Sequence, residues 1–250
     1  MSLLKSVATV GGMTMTSRIL GFVRDMLIAR FLGTGPVADA FVVAFRFPNL
    51  FRRFFAEGAF NSAFVPLYAR RLEGEGPEAA NEFASDAMSG LTFVLFLFTL
   101  IAIVTMPWFL LTMASGFLVG PEENLGWLEG IARMFESGTN AKYDMAILFA
   151  RIGFPYLLFV SLVALLSGIL NSLEKFALAA SAPILLNIIL IFALLVFAPL
   201  TETPGHALIW GVLVAGVAQF LALLWGVKRA GVMPALRRPR WNADMKRLVV

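Results

Sequence analysis

Apolar residues in this chain fall into long blocks, bounded by Gly, Pro and charge rather than interleaved with polar positions. Six blocks stand out, at about Leu3–Phe31, Val37–Tyr68, Phe83–Met113, Asp144–Leu170, Leu178–Leu200 and Ala207–Val227. A hydrocarbon core about 30 Å thick needs roughly 20 apolar residues at 1.5 Å each, and every block reaches that length. The third, fifth and sixth are clean, whereas the first two carry arginines. The pattern predicts an all-α polytopic membrane protein in which residues 1–228 form one bundle of six transmembrane helices. Residues 229–250 read as a basic cytoplasmic segment and the start of a seventh helix.

Composition narrows the class further. Of 250 residues, 59% are hydrophobic and only 14% charged, far below the quarter or so usual in soluble domains. The mean hydropathy is +0.83. There is no cysteine and His206 is the single histidine, which excludes disulfides, thiolate catalysis and Cys- or His-based metal sites. The net charge of +4 reports topology rather than nucleic acid. Of the twenty Lys and Arg, eleven fall on one side of the helical map, from Lys5 through Arg70, Arg71 and Lys175 to Arg247; Arg133 and Lys142 alone fall on the other. The positive-inside rule therefore puts both termini in the cytoplasm, with Gly33–Val37, Ser115–Ala141 and Thr201–His206 facing outward. Arg18 interrupts any signal-peptide core, so the first block is expected to stay as helix 1. Leu125, Leu128, Ile131, Ala132 and Phe135 recur at helical spacing in the outer segment, which is either a short amphipathic surface helix or a solvated loop. Asp244–Val250 reads as a helix opening, and the functional chain is expected to continue beyond it.

The anomaly is a group of charges in or near otherwise apolar helices: Arg18, Arg24, Asp25, Arg46, Arg52, Arg53 and Glu57. An arginine near a helix centre costs about 2.5–3.5 kcal/mol on insertion scales, so three or four without partners would cost on the order of 10 kcal/mol. Arg18 and Asp25 share a helix face but stand about 10 Å apart along the axis. Arg53 and Glu57 can pair at i,i+4, and Arg46, Asn49, Arg53 and Glu57 form one polar stripe. After these pairings Arg18, Arg24 and Arg52 still have too few carboxylates. The expectation is a net positive cavity whose guanidinium forks suit an anionic, phosphate-like ligand. Arg30 and Arg46 can snorkel to the interfaces, and Asn187, Gln219, Ser161 and Ser167 read as hydrogen-bond partners between helices.

These same residues carry a family likeness. The run Thr14-Met-Thr-Ser17-Arg18-Ile-Leu-Gly21-Phe-Val-Arg24-Asp25, then Asp39-Ala-Phe, then Pro48-Asn49-Leu-Phe-Arg52-Arg53-Phe-Phe-Ala-Glu57-Gly-Ala-Phe60 with Phe64-Val-Pro66, closely resembles the MurJ (MviN) family of bacterial lipid II flippases. Gly168-Ile-Leu-Asn-Ser172 with Phe176 and Ala182-Pro183 is similar to that family's helix 4–5 region. The resemblance implies a fold of the multidrug/oligosaccharidyl-lipid/polysaccharide exporter superfamily with fourteen helices in two lobes. This chain would be the N-lobe.

It also implies roles. The family's arginines at the positions of Arg18, Arg24 and Arg52 bind substrate in a cationic central cavity. Ser17, Asp25, Asp39, Asn49, Arg53 and Glu57 match positions of the cavity or of gating between lobes. The implied function is translocation of lipid II, the undecaprenyl-pyrophosphate-linked peptidoglycan precursor, across the inner membrane by alternating access. The implied partners are lipid II, the bilayer and a C-terminal lobe, with no nucleic acid. No cofactor is expected in this half, and coupling by membrane potential or a monovalent cation would run through the other. A drug or cation exporter of the same superfamily would instead need carboxylates without partners or aromatic cages. A polyprenyl-phosphate transferase would need carboxylates for Mg²⁺, and the inner loops hold no Asp-x-Asp cluster. A scaffold that binds polyprenyl-linked precursors without transporting them is the remaining alternative.

Overall fold

The computed structural model describes residues 3–52, 59–113 and 141–238. Arg53, Glu57, the expected surface helix within Ser115–Asn140 and the helix opening at Asp244 lie outside the described residues. Those described are all-helical: α1 Leu3–Leu32, α2 Pro36–Arg52, α3 Ala59–Gly74, α4 Pro77–Met113, α5 Ala141–Gly153, α6 Tyr156–Ser172, α7 Phe176–Phe192 and α8 Pro204–Arg229. Helix α1 ends at Gly33, whose positive φ of 59° suits a glycine cap, and Pro36 opens α2 where its missing N–H is harmless. Four helical runs are long and apolar enough to cross a bilayer: Pro77–Thr112, Ala141–Ser172, Phe176–Leu200 and Pro204–Arg229. These coincide with the third to sixth apolar blocks of the sequence. Helix α1 does not meet the same measure, and α2 and α3 are only 17 and 16 residues long.

Prolines shape the bundle. The fourth block, read as one helix, turns at Phe154-Pro155, where the proline can accept no place in the ladder, and α6 restarts with Leu157 N–H bonded to the Phe154 carbonyl at 2.9 Å. In α4, Pro107 cannot donate to the Ile103 carbonyl. Arg151 of α5 supplies the donor instead, its Nε lying 3.0 Å from that oxygen. The Tyr143 hydroxyl donates to the Pro107 carbonyl at 2.6 Å. Arg151 therefore has a structural task, repairing a proline kink in a neighbouring helix. After Phe192, α7 widens into a π turn at Ala193–Phe197 and then tightens into a 3₁₀ turn through Pro199.

The α5–α6 run is the central element, with 67% of its most apolar stretch buried against 28% for α4 and for α7. It packs against α2, α3, α4, α7 and α8. At the α5–α6 turn, Phe154 joins Phe51 and Phe98 in an aromatic cluster, with ring centroids 5.0–5.8 Å apart. Helix α8 approaches α5 and α6 through glycines. A Cβ at Gly205 would lie 2.7 Å from the Phe149 ring and 2.8 Å from Val37, and one at Gly216 would lie 2.7 Å from the Tyr156 ring. By contrast, α1 packs chiefly on α7 and leaves Met15, Ile19, Phe22 and Met26 exposed along one face.

Beyond α8 the chain does not leave the bundle. Val232 is buried, and the Ala235 and Arg237 amides donate to Ser85 Oγ and Ser89 Oγ of α4 at 3.0 and 2.8 Å. Each serine hydroxyl meanwhile donates to the carbonyl one turn back in α4, both at 2.7 Å, so it uses its hydrogen and its lone pair together.

The close approach at Gly216 makes a matched test. Gly216→Ala should lower stability by about 1–3 kcal/mol through overpacking, whereas Gly11→Ala, with nothing within 4 Å of its Cβ position, should not. Thermal unfolding of both variants in the same detergent would show it, and equal midpoints would refute the packing argument.

Candidate functional site

The polar residues of α1 lie on two levels of its seam with α7. At the lower level a cavity of about 450 Å³ opens between α1, the end of α6 and the start of α7. Its walls include Thr14, Ser17 and Arg18 from α1, Ser167 and Asn171 from α6, and Pro183 from α7. Arg18 is exposed and has no ion-pair or hydrogen-bond partner among the described residues. A cation facing an open, partly polar cavity is available to a ligand.

Arg24, six residues and about 9 Å of helix rise further on, is engaged. Its Nε and Nη2 donate to Asp25 Oδ1 at 3.0 and 2.7 Å, and its Nη1 donates to Asn187 Oδ1 at 2.8 Å. Asn187 is only 4% exposed, and its Nδ2 donates in turn to the Ser17 carbonyl at 3.0 Å. The carboxylate beside Arg24 is thus its sequence neighbour. Arg18 and Asp25 share a face without touching, as their spacing demands.

Arg52, the last residue of α2, is half-buried. Asn49, one turn earlier, turns its amide inward on its own helix and donates Nδ2 to the Phe45 carbonyl at 3.1 Å. Asp39 lies at the opposite end of α2 and pairs with Lys142 of α5, Nζ to Oδ2 2.6 Å. The structure therefore gathers Ser17, Arg18, Arg24 and Asp25 along the α1–α7 seam and keeps Asp39 apart. Arg53 and Glu57 fall outside the described residues. Among the described residues no group of His, Cys, Asp and Glu could hold a metal ion.

Sequence reasoning read Asn187 as a hydrogen-bond partner between helices, which it is, but did not pair it with Arg24 or single out Asn171. Their polarity within apolar helices was visible, but nothing local tells which cation they meet. The Gln219 amide does bond between helices, donating to the Ala182 carbonyl at 2.6 Å. The buried Ser161 hydroxyl has no partner among the described residues.

Long apolar helices beside a seam of arginines define a multi-pass membrane protein. Residues 28–249 match the family model described as lipid II flippase MurJ, and the chain belongs to that family. It is 44% identical over its whole length to a probable lipid II flippase MurJ of Rhizobium tropici and 45% identical to that of Rhizobium meliloti (strain 1021). It is 37% identical to the lipid II flippase MurJ of Burkholderia cenocepacia. The chain spans 44%, 44% and 46% of these relatives' lengths. A solved structure titled lipid II flippase MurJ, inward closed conformation, matches with a TM-score of 0.60 at 21% identity, over 96% of this chain and 46% of that one. At that identity the match speaks for the fold.

The Asp39–Lys142 pair is substantially exposed, with the Asp39 side chain at 53%. Asp39→Asn should therefore cost less than about 1 kcal/mol of stability. A much larger drop in thermal unfolding temperature would mean that Asp39 does more than bind Lys142.

Proposed function

We propose that this chain forms the N-terminal lobe of a lipid II flippase, which moves the undecaprenyl-pyrophosphate-linked precursor from the cytoplasmic to the outer leaflet of the bacterial inner membrane. The observation that carries this reading is a guanidinium without an internal counter-charge in an apolar bundle: Arg18 has no partner among the described residues and lines a cavity of about 450 Å³, with Arg24 further along the same helix. Such groups are maintained in a membrane helix only where something compensates them, and a pyrophosphate offers acceptors in the fork geometry that Arg favours. The carboxylates Asp25 and Asp39 are each bound to a cation. That leaves neither for a positively charged drug, which weighs against a cation exporter.

In this reading α1, the α2–α3 pair, α4, the α5–α6 pair, α7 and α8 make six crossings with both termini cytoplasmic. The lobe rocks against a second one around the bound headgroup, and no covalent step is required. Membrane potential would contribute about 2.3 kcal/mol per charge moved through 100 mV, with coupling through the second lobe.

Two measurements test this. In a conditionally flippase-depleted bacterium, the complete protein with Arg18→Ala, Arg24→Ala or Arg52→Ala should translocate lipid II at least about tenfold more slowly than wild type, since each removes a charge-assisted contact. Normal rescue by all three would overturn the cationic-cavity reading. Orientation is accessible because the chain has no native cysteine. Thr34→Cys should react with an impermeant maleimide from outside intact cells and Lys175→Cys only after permeabilisation; the reverse pattern would invert the topology.

A further inference from the structure

Arg24 and Arg18 sit on the same helix but are treated differently by their surroundings. Arg18 is loose at the cavity. Arg24 is held from two sides, by Asp25 on its own helix and by Asn187 on α7. A helical side chain leans toward the N-terminus of its helix. The Asn187 amide fixes how far Arg24 leans, because the same amide that accepts from Arg24 Nη1 donates to the carbonyl of Ser17, nearly two turns earlier on α1. The guanidinium is thereby tied, through one amide, to the backbone of Ser17, and Ser17 lines the cavity together with Arg18. Asn187 itself comes one turn after Pro183, which lines that cavity.

Donor arithmetic shows what this leaves. A guanidinium carries five N–H groups. Two go to Asp25 and one to Asn187, so two remain on Nη1 and Nη2, which suffice for one bidentate contact with a phosphate. The Arg24 side chain is 21% exposed, so those donors are not sealed in. Asn187 is neutral. It orients the group without cancelling its charge, which a second carboxylate would do.

We propose that Asn187 is a positioning residue of the anion site. Its amide braces Arg24 against α7 so that the two free N–H groups are presented, together with Arg18, to the pyrophosphate of the lipid. This rests on the reading of Arg18, Arg24 and Arg52 as the headgroup site, and the test separates the two.

The experiment measures binding of undecaprenyl pyrophosphate to the complete protein in nanodiscs, for wild type, Arg24→Ala, Asn187→Ala and the double variant, alongside thermal unfolding without ligand. Asn187→Leu, close in volume, serves if the alanine variant does not fold. Arg24→Ala and Asn187→Ala should each weaken binding about tenfold, and the double variant should bind no more weakly than Arg24→Ala alone, because the asparagine acts through the arginine. Unchanged binding in Arg24→Ala would overturn the headgroup site itself. Weakened binding in Arg24→Ala with wild-type binding in Asn187→Ala would overturn the positioning role alone. So would additive losses, which would show Asn187 acting on the fold rather than on Arg24.

Discussion

A bilayer core supplies no hydrogen-bond partners, so each polar group carried into it must find one within the protein. Most of the specific geometry of this bundle answers to that constraint. Pro107 strips the Ile103 carbonyl of its donor, and Arg151 reaches from the next helix to replace it. Thr92 and Thr105 donate back to their own helix at Met88 and Ile101, both at 2.7 Å, as Ser172 does to Gly168 at 3.0 Å. Asn49 does the same beside Pro48. On the seam of α1 and α7, one amide satisfies a carbonyl and a guanidinium together. Arg18 differs from these groups, since it has no internal partner among the described residues and faces open volume.

The parts legible in the sequence were those that depend on length and periodicity. The third to sixth apolar blocks became helical runs with ends shifted by a few residues, α4 starting six residues earlier, at Pro77. The turn at Phe154-Pro155 had a sequence signal in its proline, yet the apolar run hid it, because hydropathy does not register a missing N–H. The charged seam was legible as an excess of arginine but not as a set of contacts. Spacing on one helix shows which residues share a face, whereas Arg24 and Asn187 are 163 positions apart and Lys142 and Asp39 are 103 apart. Adjacent residues on a helix point about 100° apart, so spacing does not suggest an Arg24–Asp25 pair, yet the long arginine stem bends across that angle to reach its neighbour. Asn187 was visible only as a polar residue in an apolar helix, a feature shared with Gln219 and Ser161, whose surroundings differ.

Family membership and geometry bear on different questions. The match over residues 28–249 says which proteins share this chain's ancestry. The geometry says what the described bundle contributes: one cation without an internal partner, Arg18, and one that is braced, Arg24. Because the chain covers under half of its relatives' length, these groups form one wall of a site in the reading given above, and the opposing wall belongs to other residues.

The segment after α8 gives the bundle a mechanical asymmetry. Its amides are pinned to Ser85 and Ser89 of α4, so tension along the chain beyond Arg237 is borne first by α4, not by the helix from which the segment emerges. Helix α1, with its arginines, is seated mainly on α7. A pull that tilts α4 therefore reaches the arginine seam through the buried α5–α6 core rather than directly. The segment after α8 and the charged helix are attached to different helices of the bundle.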